Sequence, residues 1–142
     1  MRIQSNACLV MGCIALATIL SATSLNAQGV MGLVTSATIT LKSGESVEVD
    51  NLYWVAACRS LLTSPPEVEI IDGPSQVTAS VKETMVVPRW QSCPTPVSGG
   101  TLVLTAKNIE DPSFSRLVLR VTYKTRDGDR KRGEVINLQL IP

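Results

Sequence analysis

Histidine is missing from the sequence altogether. That removes the commonest general base and the commonest metal ligand together. A Ser-His-Asp triad, a Cys-His dyad and a His-ligated metal are all excluded. Aromatic residues are scarce, with two Trp, two Tyr and one Phe in 142 residues, so any core must be mainly aliphatic. An excess of one charge sign is missing too. The 13 Lys+Arg and 12 Asp+Glu leave +1, which gives no electrostatic reason to expect a nucleic-acid partner. No Walker loop, dinucleotide glycine motif, G-x-S-x-G elbow or Ser-x-x-Lys pair is present. These absences predict a non-enzymatic protein with no catalytic residue, no cofactor and no metal.

Long apolar runs are also rare, and the one that stands out is N-terminal. Arg2 supplies a positive start, Ala7 to Leu20 is a 14-residue uncharged stretch, and Ser21 to Ala27 is small and polar. This is the layout of a secretory signal. It predicts a signal peptide over 1–27 and a secreted or periplasmic mature chain over 28–142. That length suits one domain. A run of 14 residues falls short of the ~20 that span a bilayer, so no transmembrane segment is expected in the mature chain. Val10-Met11-Gly12-Cys13 has the outline of a lipobox, but the apolar run continues past Cys13, where a lipidated cysteine would end it. Cleavage removes Cys8 and Cys13. Cys58 and Cys93 remain, and in an oxidising compartment two remaining cysteines are expected to pair.

The mature chain alternates with period two almost throughout. Ser36–Lys42, Val47/Val49, Val68/Ile70 and Val77/Ala79/Val81 each carry apolar residues two apart, with Ser43-Gly44 and Asp72-Gly73-Pro74 as turn signals. Leu102/Leu104/Ala106, Leu117/Leu119/Val121/Tyr123 and Ile136/Leu138/Leu140 continue the pattern. Short alternating strands between turns predict an all-β antiparallel sandwich of about seven strands. Leu117–Thr125 and Glu134–Ile141 flank Asp127-Gly128, which predicts a hairpin with a charged tip over 126–133. Two stretches break the pattern. Residues 51–63 fit either a strand or a short helix capped by Asp50 or Asn51. Residues 88–100 carry three prolines and two glycines and are expected to form a long loop tied down by Cys93.

The stretches Val97–Lys107 and Tyr123–Arg130 are similar to those of small uncharacterised secreted bacterial proteins, and Ser36 to Pro142 resembles their immunoglobulin-like β-sandwiches. The resemblance is architectural and implies no activity, because that fold hosts adhesins, chaperones, accessory modules and inhibitors alike. The chain departs from true immunoglobulin domains: Trp54 precedes Cys58, and no Tyr lies two residues before Cys93. A Cys58–Cys93 bridge is therefore not expected in that family's usual place between the sheets.

Two groups of residues are candidates for binding. Tyr53, Trp54 and Trp90 flank the two cysteines, and a bridge would gather them into an aromatic patch suited to a glycan or peptide. They could equally pack on the disulfide as a small satellite core. Arg126, Arg130, Lys131 and Arg132 are the densest run of charge. From Phe114 onward 7 basic and 3 acidic residues give +4, whereas Gln28–Ser113 has 5 basic and 9 acidic, giving −4. The basic run could dock an anionic envelope polymer or an acidic protein partner, or serve as a solvated tip that keeps sheet edges apart. A calcium loop through Asp127 and Asp129 with Glu134 is ruled against by Lys131 in a ligand position and by the repulsion of Arg130–Arg132. The expectation is thus a binding or structural module of the cell envelope, with an inhibitor or accessory subunit acting through 88–100 as the alternative. Oligomeric state is not legible.

Overall fold

The computed structural model describes residues 34–89 and 92–142. The expected signal peptide, and Trp90, lie outside the described residues. The described chain is all-β. Its strands are β1 (Val34–Lys42), β2 (Ser46–Leu52), β3 (Val55–Ala56), β4 (Arg59–Ser60), β5 (Glu67–Asp72), β6 (Val77–Val86), β7 (Val97–Ala106), β8 (Ser113–Thr125) and β9 (Gly128–Ile141). Among the described residues no helix is long and apolar enough to cross a membrane.

The strands form a four-stranded sheet in the order β1-β9-β8-β5, a three-stranded sheet in the order β2-β7-β6, and the small hairpin β3-β4. All pairings are antiparallel except β1 with β9, which run parallel with Ile39 opposite Leu138 and Leu41 opposite Leu140. The expected antiparallel pairing thus holds everywhere among the described strands except at this one seam. The reason is topological, since alternation within a strand reports its faces and says nothing of its neighbour's direction.

Both larger sheets contribute to one buried core. Leu117, Leu119, Val121 and Tyr123 of β8 join Ile136, Leu138 and Leu140 of β9, with Leu52, Leu102, Leu104 and Ala106 from the other sheet. The cause is the period-two pattern, which puts every second side chain on one face. The core is aliphatic apart from Tyr123, as the shortage of aromatics requires.

Three local readings change. Residues 51–63 are neither one strand nor a helix. Asn51 and Leu52 finish β2, and Val55–Ser60 is a tight hairpin whose turn residues Ala57 and Cys58 have φ of 47° and 57°. The expected 88–100 loop ends sooner, because Val97–Gly100 already belong to β7, all four paired with β6 and Gly100 also with β2. The glycines are there because nothing larger fits. A Cβ on Gly99 would lie 2.5 Å from the Leu52 carbonyl oxygen, and one on Gly100 would lie 2.4 Å from Val81 Cγ1. Finally, the β8–β9 reversal is confined to Arg126 and Asp127, closed by Gly128 at φ 105°. Arg130, Lys131 and Arg132 are strand residues, opposite Tyr123, Thr122 and Val121, and not a tip.

Candidate functional site

One end of the structure gathers most of the residues singled out above. The organising link is the disulfide between Cys58 and Cys93, with Cα atoms 5.4 Å apart. It joins the β3-β4 turn to the connection between β6 and β7, so it ties two loops together and does not bridge the core. Backbone strain collects at both of its ends. Ala57, Cys58 and Ser92 all hold positive φ, which non-glycine residues adopt only when their surroundings over-determine it.

The loops are fastened further by hydrogen bonds. The Arg89 N–H donates to Tyr53 Oη at 3.1 Å, and Ser60 Oγ donates to the Ser98 carbonyl at 2.9 Å. The Thr63 N–H donates to the Lys124 carbonyl at 2.9 Å, and Leu62 bridges Thr125. The hairpin is thereby docked against the last turn of β8. Trp54 follows, its ring centroid 5.4 Å from that of Tyr123 in a tilted pair. Trp54 stays 37% exposed while Tyr123 is buried.

The face of β9 completes the end. Arg130, Arg132 and Glu134 share the parity of Ile136, Leu138 and Leu140, so they sit on the inward face, opposite the core residues Tyr123, Val121 and Leu119. Arg130 lies directly opposite Tyr123. Arg132 Nε stands 3.5 Å from Glu134 Oε1, an oxygen with no hydrogen-bond partner among the described residues. Burial holds the Glu134 carboxyl above its ordinary value, opposed by Arg132 and reinforced by Asp50. The Tyr123 hydroxyl is pushed up to about 12, first by burial and then by the Glu134 charge. Beside this cluster Glu48, Val49, Asp50, Asn51, Arg89 and Thr101 line a shallow polar cleft of about 210 Å³.

Only part of the two groups picked from the sequence meets here, and Trp90 lies outside the described residues. Trp54 reaches Arg130 through Tyr123, and Tyr53 reaches the bridge's second loop through Arg89. Arg126 stands apart at the reversal, and Lys131 points to the other face of the sheet with Thr122. Charge pairing separates the cations as well. Arg120 pairs with Glu69, Lys124 with Glu67 and Arg132 with Glu134. Among the described residues Arg126, Arg130 and Lys131 have no ion-pair partner. Tyr123, Asp50 and Arg89 carry no site signal in the sequence, and Glu134 entered only as a rejected calcium ligand. For Glu134 the signal existed: carried backward, the Ile136/Leu138/Leu140 parity puts a carboxylate and two arginines on an apolar face.

Chemically, the end offers a partly exposed indole packed on Tyr123, with Arg130 as that tyrosine's ladder partner, a combination that suits an anionic ligand with some apolar surface. Among the described residues no group of three or more Cys, Asp or Glu is placed to hold a metal ion. Comparison with protein-family models, with curated proteins and with solved structures finds no match.

Proposed function

We propose that this is a secreted or periplasmic, non-enzymatic binding or structural module of the cell envelope, built as an immunoglobulin-like β-sandwich. On this reading the partner, an envelope polymer or protein, is met at the disulfide-tied end. The strand order supports the sandwich. In chain order β1, β2, β5, β6, β7, β8 and β9 stand for strands A to G. The sheet β2-β7-β6 then corresponds to B-E-D, and β9-β8-β5 to G-F-C. The bridge departs from that family's inter-sheet position by joining the B–C and D–E connections. The layout of residues 1–27 and the Cys58–Cys93 pair both support an oxidising compartment.

The observation that carries the binding reading is the coincidence, at one anchored end, of a Trp left 37% exposed and of Arg130, exposed and without an ion-pair partner among the described residues. Co-sedimentation with purified envelope polymer and with envelope protein tests it. Binding should fall as salt shortens the Debye length below about 8 Å. It should also be lost in Trp54→Ala and in the triple variant Arg130→Ser, Lys131→Ser, Arg132→Ser. Undiminished binding by the triple variant overturns the reading. A second reading, an inhibitor or accessory subunit of an envelope enzyme acting through 88–100, is favoured by the anchoring of Cys93 to Cys58 and of the Arg89 N–H to Tyr53. A panel of envelope proteases assayed with the protein tests that one.

A further inference from the structure

Phenylalanine occurs once in the chain, and the fold leaves it out of the core. Phe114 is 79% exposed. A ring left in water forgoes one of the largest burial gains a side chain can make, so stability does not account for its place. The alternation of β8 fixes where it points. Leu117, Leu119 and Val121 are buried, so Phe114 and Arg116 project from the opposite, outer face of the four-stranded sheet. Along β8 this is about 30 Å from Tyr123, at the strand end remote from the reversal at Arg126 and Asp127.

The neighbours on that face come from two further strands. On β9, Gln139 lies opposite Phe114 and Asn137 lies opposite Arg116. On β1, Thr40 lies beside Gln139, and Lys42 follows two residues on along the same face. The register of β1 on β9 runs without a break from Thr38 to Lys42. Thr40 Oγ1 donates to Gln139 Oε1 at 3.2 Å, which uses the Gln139 carbonyl and leaves its NH₂ group as a donor. Further along β8 the cations of this face are neutralised, Arg120 by Glu69 and Lys124 by Glu67. Arg116 and Lys42, both exposed, have no ion-pair partner among the described residues.

This combination selects among ligands. A protein interface has an apolar centre, whereas here a single ring stands amid amides, a hydroxyl and cations. A sugar ring offers a C–H face to an aromatic ring and hydroxyls to amide donors. A carboxylate on it would pair with the Arg116 guanidinium, which binds carboxylates with two parallel bonds. Two rows of side chains on three strands span about 7 Å by 10 Å, the footprint of a short oligosaccharide.

We propose that the outer face around Phe114 is a binding site for a short acidic saccharide, one that carries uronate carboxylates. Phe114 stacks on a sugar ring, Asn137 and Gln139 bond its hydroxyls, and Arg116 and Lys42 select the carboxylates. The site is separate from the disulfide-tied end and does not rest on the reading given for that end.

The test uses the full chain and trigalacturonate, with maltotriose and a triglutamate peptide as comparisons, measured by calorimetry. Trigalacturonate should bind more tightly than either comparison. Phe114→Ala should weaken it at least ~10-fold, the equivalent of about 1.4 kcal/mol. Arg116→Gln should remove the advantage over maltotriose. Both variants should melt with wild type, because surface changes away from packing cost little. Trp54→Ala and the Arg130, Lys131, Arg132 triple variant should leave trigalacturonate binding unchanged. Undiminished binding by Phe114→Ala overturns the proposal. Equal binding of triglutamate overturns sugar recognition and leaves a charged patch. Loss in Trp54→Ala or the triple variant, but not in Phe114→Ala, moves the saccharide to the disulfide-tied end and overturns this face. Absence of trigalacturonate binding overturns it too, and the reading of the disulfide-tied end then stands or falls by its own test.

Discussion

Replacing Cys58 and Cys93 together by Ala removes a cross-link between residues 35 apart in sequence. Closing a loop of ~35 residues lowers the entropy of the unfolded chain by about 4 kcal/mol at 25 °C. Two structural terms modify that figure. Ala57, Cys58 and Ser92 hold φ of 47°, 57° and 47°, a region that costs an L residue roughly 1–2 kcal/mol. Any of these residues that relaxes once the bridge is gone reduces the loss. Cys93 is buried at 5% exposure, and truncating it to Ala adds back about 1 kcal/mol of lost packing. The net expectation is a loss of about 2–4 kcal/mol, which a domain of typical stability near 5–15 kcal/mol survives. Urea titration followed by circular dichroism and Trp fluorescence measures it, and the m-value should rise because the uncrosslinked chain exposes more surface. Ala57→Gly sharpens the test. It should stabilise the bridged protein by about 0.5–1 kcal/mol and have less effect in the double-Ala background, where the turn can relax. A loss under about 1 kcal/mol for the double variant would refute the loop-closure reasoning. An equal Ala57→Gly effect in both backgrounds would show that the bridge does not hold the turn.

Two further outcomes follow from packing and charge. Gly99→Ala drives a methyl to 2.5 Å from the backbone oxygen of Leu52, and backbone cannot swing aside as a side chain can. It should destabilise by about 3 kcal/mol or more, and wild-type stability in a denaturant titration would discount the close approach. Glu134→Gln tests the buried carboxyl. Its folded pKa is raised from 4.5, first by burial, so the stability linked to it is complete below pH 4.5 and is lost as pH rises through the folded value. The Gln variant should melt above wild type at pH 7–8, with the difference closing below about pH 4. A variant that melts lower at pH 7 would mean that the Arg132 ion pair outweighs desolvation.

Much of this protein can be read from period-two alternation. The seven long strands lie where Ser36–Lys42, Val47/Val49, Val68/Ile70, Val77–Val81, 101–106, Leu117–Thr125 and Glu134–Ile141 placed them. The burial of Leu117, Leu119, Val121 and Tyr123 follows from the same pattern. The physical basis is local, since a pleated strand sends successive side chains to opposite faces whatever its neighbours are. The pairing of Cys58 with Cys93 was also accessible, because few alternatives remain once Cys8 and Cys13 are set aside.

What only the tertiary structure decided is everything that depends on a neighbour. The parallel seat of β1 against β9 is one such feature. The absorption of Gly99 and Gly100 into a crowded central strand is another, because composition marks glycine as a loop former while a close backbone approach demands it. Ala57 and Cys58 form a turn their residue types do not favour, because the bridge and the docked hairpin hold it. The register of β9 against β8 moved Arg130, Lys131 and Arg132 out of a presumed tip and onto a strand. Composition determined which side chains are cationic and which are apolar. The long-range ladder determined that Arg130 stands opposite Tyr123, the ring on which Trp54 packs, because register between distant segments is set by pairing energy summed over the whole sheet.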